Sequence, residues 1–93
     1  DAQKKPYLQA AMDLYAKGVN LEQAAQWIGK AAAGQPDAIW ISYRQGLVPE
    51  ALGDKAGAME AAKKSLTGAK KMEGEISTEY NRLNQTLIAR LKS

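Results

Sequence analysis

The apolar residues of this chain recur at intervals of three and four, the spacing that places side chains on one face of an α-helix. Five such segments follow one another. The clearest is the last, in which the apolar positions are Ile76, Tyr80, Leu83, Leu87 and Leu91. The segment AIWISY at residues 38–43 has a β-prone composition, but it is continuous with a helical pattern. The pattern therefore predicts an all-α protein with five helices.

Capping residues and helix breakers set the predicted boundaries. The helices are expected to run from about Pro6 to Lys17, Leu21 to Ala33, after Asp37 to Gly53, Asp54 to Met72 and Ser77 to Lys92. Asn20, Asp37 and Asp54 are predicted N-caps, because their side-chain oxygens accept hydrogen bonds from free backbone N–H groups. Gln23 follows Asn20 at the spacing of a capping box. Pro49 predicts that the third helix either kinks or stops and restarts.

The helices are joined by short connections, which predict antiparallel neighbours, and the helix pairs show a period. Ala24 and Ala58 stand in matching positions 34 residues apart, the period of the tetratricopeptide repeat (TPR). The residues that fit this motif are Ala24, Ile28, Ala31 and Pro36 in the first unit and Gly46, Ala58 and Ser65 in the second. On these residues, with Tyr15 as a further match in the first unit, the chain resembles the TPR family, although Met12, Pro49 and Lys70 depart from the motif.

The resemblance implies a single TPR-like domain over residues 1–93, with units at about 5–38 and 39–72 and a capping helix at about 76–92. The alternative is an ordinary bundle of antiparallel helices. LEQAAQWIGKA and EYNRLNQTLIARLK also resemble the C-terminal helical tail of an exported Bacteroidetes family of unknown function. That resemblance implies a fragment of a longer protein, located in the periplasm or at the cell surface, in which a β-rich domain precedes this one.

The composition removes several kinds of chemistry. There is no His and no Cys, so the commonest general base and the thiolate nucleophile are absent. None of the glycines forms a phosphate-binding loop motif. We therefore predict no catalytic residue, no cofactor and no metal. An enzyme built from carboxylates, Tyr and Lys is the alternative.

Charge and hydropathy bear on the possible partners. The net charge of +3 is weak support for nucleic-acid binding, and no apolar run is long enough for a membrane span. Lys63, Lys64, Lys70 and Lys71 repeat at a seven-residue interval along one side of the fourth helix. We predict that they form a solvated outer face, the alternative being a patch for an acidic partner, anionic lipid or nucleic acid. No aromatic residue interleaves with them to stack bases.

In TPR proteins the first helix of each pair lines a concave groove that binds peptides, so the resemblance implies a partner-binding surface here. The predicted contact residues are Gln9, Asp13, Trp40, Tyr43, Leu47, Asn81 and Asn84, with Glu50 and Ser77 beside them. Trp and Tyr are typical of protein interfaces. The predicted function is a non-catalytic module for protein–protein or interdomain interaction.

Two alternatives to an external protein partner remain open. One is a structural appendage whose inner face is covered by a companion domain and which binds no ligand. The other is a self-associating module that forms a homodimer, because short repeat arrays expose apolar ends that stack on one another.

Overall fold

The computed structural model describes residues 7–92, and every regular element in that range is an α-helix. The helices are α1 (Tyr7–Lys17), α2 (Leu21–Gly34), α3 (Ile39–Leu52), α4 (Lys55–Lys70) and α5 (Glu75–Lys92). The prediction of an all-α fold with five helices is confirmed. The expected start at Pro6 lies outside the described residues. α5 begins two residues before the predicted Ser77, and α4 ends two residues before the predicted Met72.

The helices form two layers. Each helix packs against the next along the chain, and α3 also contacts both α1 and α5. Within the described residues α2 and α4 do not pack against each other. The molecule measures 32 × 31 × 19 Å, and its smallest dimension is that of two helices of about 10 Å stacked together. The odd-numbered helices therefore form one layer, and α2 and α4 form the other.

Three apolar clusters hold the layers together. The first joins α1, α2 and α3 around Ile28, Ile41 and Val48. The second joins α4 and α5 around Ala58, Ala62 and Leu87, with side chains of α3 packed against it. The third lies between the start of α3, the end of α4 and α5. Because α3 contributes to all three clusters, it is the central helix of the fold.

Gly46 sets the distance between α3 and α4. A Cβ atom at this position would lie 3.2 Å from the backbone oxygen of Ala58 and 3.2 Å from a methyl carbon of Leu87. Gly46 is buried and Ala58 and Leu87 have no exposed surface. Small residues at Gly46 and Ala58 therefore allow the two backbones to approach closely, as the sequence pattern predicts for a crossing helix pair.

Of the three predicted N-caps, Asn20 and Asp54 occupy the cap positions of α2 and α4, and Asp37 does not occupy that of α3. Asn20 has left-handed backbone angles (φ 50°, ψ 46°) and makes no capping hydrogen bond through its side chain. A capping side chain normally requires an extended backbone, which directs its oxygen toward the first turn. At α3 the cap is Ala38 rather than Asp37, so the carboxylate stands one residue too early. Only Asp54 behaves as predicted, accepting a 3.0 Å hydrogen bond from the Gly57 N–H.

Pro49 does not stop α3. The helix continues through Pro49 to Leu52, which corrects the expectation of a stop and restart at this position. Only one hydrogen bond is lost, because proline lacks a single N–H and stands in the last turn. Gly53 then ends the helix with a φ of 86°, a left-handed conformation that glycine adopts without strain. The chain reverses there, and the Asp54 N–H donates to the Pro49 carbonyl at 2.8 Å.

Candidate functional site

Four side chains predicted to face a partner lie along one side of α3. Trp40, Tyr43, Leu47 and Glu50, which we call the α3 strip, follow one another at intervals of three and four residues. All four are half-buried. The inner parts of Trp40, Tyr43 and Leu47 pack against the core clusters, and the remainder of each side chain is open to solvent. The strip therefore combines firmly held side chains with exposed aromatic and apolar surface.

Arg44 fixes the first turn of the strip to α5. One guanidinium nitrogen of Arg44 donates a 2.8 Å hydrogen bond to the Trp40 carbonyl and a 3.1 Å hydrogen bond to the Tyr80 hydroxyl. Tyr80 itself is 8% exposed, so the bond reaches a side chain that the core already holds. This links the backbone beneath Trp40 to the neighbouring helix.

Tyr43 is held at the middle of the strip by the same tyrosine. The rings of Tyr43 and Tyr80 meet edge to face, with centroids 5.8 Å apart and an angle of 80° between planes, which is a favoured geometry for aromatic pairs. Burial raises the pKa of the Tyr43 hydroxyl, and the nearby positive charge of Arg90 opposes part of that rise. The phenol therefore stays protonated at neutral pH and is available as a hydrogen-bond donor.

An ion pair closes the other end of the strip. The guanidinium of Arg90 on α5 donates to both carboxylate oxygens of Glu50, at 2.9 and 2.8 Å. This hydrogen bonding lowers the pKa of Glu50 and raises that of Arg90. The Arg90 side chain is 48% exposed, so the pair lies at the surface. It offers a charged and geometrically defined edge next to the aromatic residues.

The remaining predicted contact residues occupy different surroundings. Gln9 and Asp13 are exposed on α1, and no hydrogen bond or ion pair within the described residues connects them to the α3 strip. Asn81 is half-buried, and its amide donates to the Ser77 carbonyl at 2.9 Å and to the Ser77 hydroxyl at 3.3 Å. Ser77 in turn donates to the Ala69 carbonyl at 2.8 Å. These two side chains hold the end of α4 against α5.

Asn84 is interior. It has no exposed surface, so in this conformation it is not available to a partner, and the surface assignment is corrected. Its amide nitrogen donates to the Ser65 hydroxyl at 2.8 Å and to the Tyr80 carbonyl at 2.9 Å. Its Oδ1 atom is buried without a hydrogen bond. The interval of Asn84 from Leu87 and Leu91, at three and seven residues, would have indicated this buried position.

Arg44, Tyr80 and Arg90 were not among the predicted contact residues, yet they hold the strip in place. Tyr80 carries the one usable sequence signal, since it belongs to the apolar stripe of α5. Arg90 stands 40 residues from Glu50, and nothing in the local pattern relates them. Only the packing of α3 against α5 brings these residues together.

Comparisons with protein-family models, curated proteins and solved structures find no match to this chain. Among residues 7–92 no group of three His, Cys, Asp or Glu side chains is arranged to hold a metal ion. No helix within that range has the length and apolar character needed to cross a bilayer.

The α3 strip offers a partner aromatic and apolar contact area, bordered by the Glu50–Arg90 ion pair.

Proposed function

We propose that this chain is a non-catalytic interaction module that binds a peptide-like segment of another protein along the α3 strip. The observation that carries the proposal is that Trp40, Tyr43 and Leu47 are half-exposed while their positions are fixed by packing and hydrogen bonds. Side chains that are already ordered lose little conformational entropy on binding, so a preorganised surface gains affinity at low cost. Trp, Tyr and Arg are also the residues that dominate binding energy at interfaces.

The layered arrangement supports a concave surface at this position. The odd-numbered helices contact one another, whereas α2 and α4 do not. In a TPR array the layer with the closer spacing lines the inside of the curve, and we propose the same arrangement here, with α5 as the capping helix. The origin of the chain in a larger exported protein is a proposal that rests on the sequence resemblance alone. In this proposal Gln9, Asp13 and Asn81 contribute at the margins of the surface.

The outer side of α5 supports the capping role. Its exposed positions are mainly polar or charged, among them Glu75, Thr78, Glu79, Arg82 and Gln85. A terminal helix in a repeat array needs such a face, because nothing stacks on it. End-to-end self-association through α5 is therefore disfavoured relative to binding along the α3 strip.

An experiment with two internal probes tests the proposal. The chain has only two tryptophans, Trp40 on the strip and Trp27 on α2. Peptides selected from a random display library against the pure protein would be titrated while the two indole N–H signals are followed by NMR. We expect saturable shifts of the Trp40 signal with little change at Trp27. Selected peptides that shift Trp27 alone, or a selection that yields no saturable binder, would contradict the proposal.

The alternative is that a companion domain or a second copy of the chain covers the strip. Val19 and Leu52 are half-exposed apolar residues, 50% and 43% exposed, and both lie where odd-numbered helices end. Light scattering over a range of concentrations tests self-association. Acrylamide quenching of Trp40 in the Trp27→Phe variant, compared between this chain and any longer form, tests coverage by a companion domain. If acrylamide quenches the Trp40 fluorescence of this chain and of the longer form equally and to an intermediate extent, an external partner is favoured.

A further inference from the structure

A second surface feature lies away from the α3 strip, where the beginning of α3 meets the end of α4. A cleft of about 420 Å³ opens there. Its polar lining consists of Asp37, Ser42, Lys64, Thr67 and Lys71. Ser42 faces α4 rather than the strip, and none of these residues belongs to the surface proposed above. The cleft therefore calls for its own explanation.

Ser42 is the unusual residue of this cleft. It is 3% exposed, and its hydroxyl has no hydrogen-bond partner among the residues that the structure describes. The neighbouring buried serine differs, because Ser65 donates to the Ile39 carbonyl at 2.8 Å and accepts from Asn84. Among the described residues, Asn84 Oδ1 is the buried side-chain atom that has no hydrogen-bond partner, so the Ser42 oxygen is not sealed in the core but keeps access to the cleft that it lines. A hydroxyl at the floor of an open cleft, with no partner within the described residues, is suited to bind a ligand group.

The surrounding charges favour an anion. Lys64 of α4 and Lys71, the residue that follows α4, line the cleft, and among the described lining residues Asp37 supplies the one carboxylate. The N–H groups of Ile39 and Trp40 have no backbone acceptor among the described residues, and they lie at the positive end of the α3 dipole. The carbonyl groups at the C-terminal end of α4 carry partial negative charge, which disfavours an anion. Part of that charge is offset, because the Ala69 carbonyl accepts a hydrogen bond from the Ser77 hydroxyl at 2.8 Å.

We infer that this cleft binds a phosphate group through Ser42, Thr67, Lys64 and Lys71. Two hydroxyls and two ammonium groups supply donors from two different helices, which suits a group with several terminal oxygens. Lysine acts as a point charge toward phosphate, whereas bidentate recognition of a planar carboxylate is characteristic of arginine, and no arginine lines the cleft. Asp37 opposes the bound charge and limits affinity.

The test is a titration of the chain with inorganic phosphate at low salt and pH 7.5, followed by backbone NMR. We expect saturable shifts centred on residues 37–42 and 64–71. Lys64→Gln and Lys71→Gln should each weaken binding about threefold, while the matched controls Lys63→Gln and Lys70→Gln, on the same helix but outside the cleft, should leave it nearly unchanged. Asp37→Asn should tighten binding, because it removes the opposing charge.

Ser42→Ala gives an independent measure, with an expected loss of about fivefold in affinity. The variant should fold normally, because the hydroxyl makes no internal hydrogen bond and alanine favours the helix. Equal weakening by all four lysine variants would overturn the inference in favour of diffuse charge attraction. Equal binding of acetate and phosphate would assign the site to carboxylates instead, and the absence of saturation would remove it. None of these results bears on binding at the α3 strip.

Discussion

The side-chain amide of Asn84 donates a 2.8 Å hydrogen bond to the hydroxyl of Ser65. The Ser65 hydroxyl in turn donates a 2.8 Å hydrogen bond to the Ile39 carbonyl. A chain of two polar side chains therefore connects α5, α4 and α3 within the core. Neither side chain has any exposed surface, so the bonds are formed without competition from water.

Because these hydrogen bonds link Ser65 and Asn84, we predict that substitutions at the two residues have coupled effects on the free energy of unfolding. Asn84→Ala should lower the free energy of unfolding by about 2 kcal/mol, because it removes buried bonds and leaves a small cavity. Ser65→Ala should cost about 1 kcal/mol. In a double-mutant cycle by urea denaturation the two effects should differ from additivity by at least about 0.5 kcal/mol. Asn81→Ala is the control, since the amide of Asn81 bonds only within its own helix. Additive effects, or an equal cost at Asn81, would contradict the prediction.

A second prediction compares Gly46, which is tightly packed, with Gly29, which has open space where a side chain would lie. Gly46→Ala should destabilise the fold by about 1 kcal/mol, because its Cβ would press on the Ala58 backbone and on Leu87. Gly29 stands inside α2, with nothing within 4 Å of an added Cβ. Gly29→Ala should therefore stabilise by about 0.5–1 kcal/mol through helix propensity alone. Thermal unfolding of both variants gives the comparison. Stabilisation by both would show that α3 and α4 separate easily.

The two aspartates before α3 and α4 should also differ. Asp54→Ala should cost about 1 kcal/mol, because it removes the side-chain hydrogen bond to the Gly57 N–H. Asp37→Ala should have an effect below about 0.5 kcal/mol, since Ala38 rather than Asp37 occupies the cap position. Chemical denaturation of the two variants separates these cases. A larger loss at Asp37 would restore the sequence-based assignment of that residue as a cap.

The Glu50–Arg90 pair predicts a small dependence of stability on pH. The pKa of Glu50 is lower in the folded chain than its ordinary value of 4.5, chiefly because of the hydrogen bonds from Arg90. Its contribution is therefore present above the unfolded pKa and is lost as the pH falls through the folded pKa. For a pair at the surface we expect less than about 1 kcal/mol.

The pH dependence is measured by denaturant unfolding between pH 6 and pH 2.5, and Glu50→Gln should flatten the part due to this pair. Glu60→Gln is a suitable control, because Glu60 is exposed on α4 and takes part in no ion pair within the described residues. Added salt should reduce the difference between the native chain and Glu50→Gln. If Glu60→Gln flattened the pH dependence of stability as much as Glu50→Gln does, the overall charge of the protein rather than the Glu50–Arg90 pair would cause that dependence.

The sequence was sufficient to predict the helices, since the apolar periodicity of each one is local. It also identified Gly46 and Ala58 as a close crossing, because small residues at that interval have one common structural use. The cap at Asp37 was wrong by one residue. Asn20 stands at the predicted cap position, but its left-handed backbone keeps the side chain from forming the capping hydrogen bond. The three-residue spacing of Trp40 and Tyr43 predicted a shared helix face, and both side chains are half-buried on α3, while their contact with a partner stays a prediction. Its supports, Arg44 and Arg90, depend on contacts across 36 to 40 residues of chain and could not be read from local pattern.

The central position of α3 has a consequence for how the chain folds and opens. Trp40 packs against both the first and the third apolar clusters, so it joins the α1–α2 half to the α4–α5 half. The helices that contact each other are mostly sequential neighbours, and chains with such local contacts fold rapidly. Within residues 7–92 neither α1 nor α2 packs against α4 or α5. The α1–α2 pair can therefore exchange its amide hydrogens as one cooperative unit while α3, α4 and α5 stay protected.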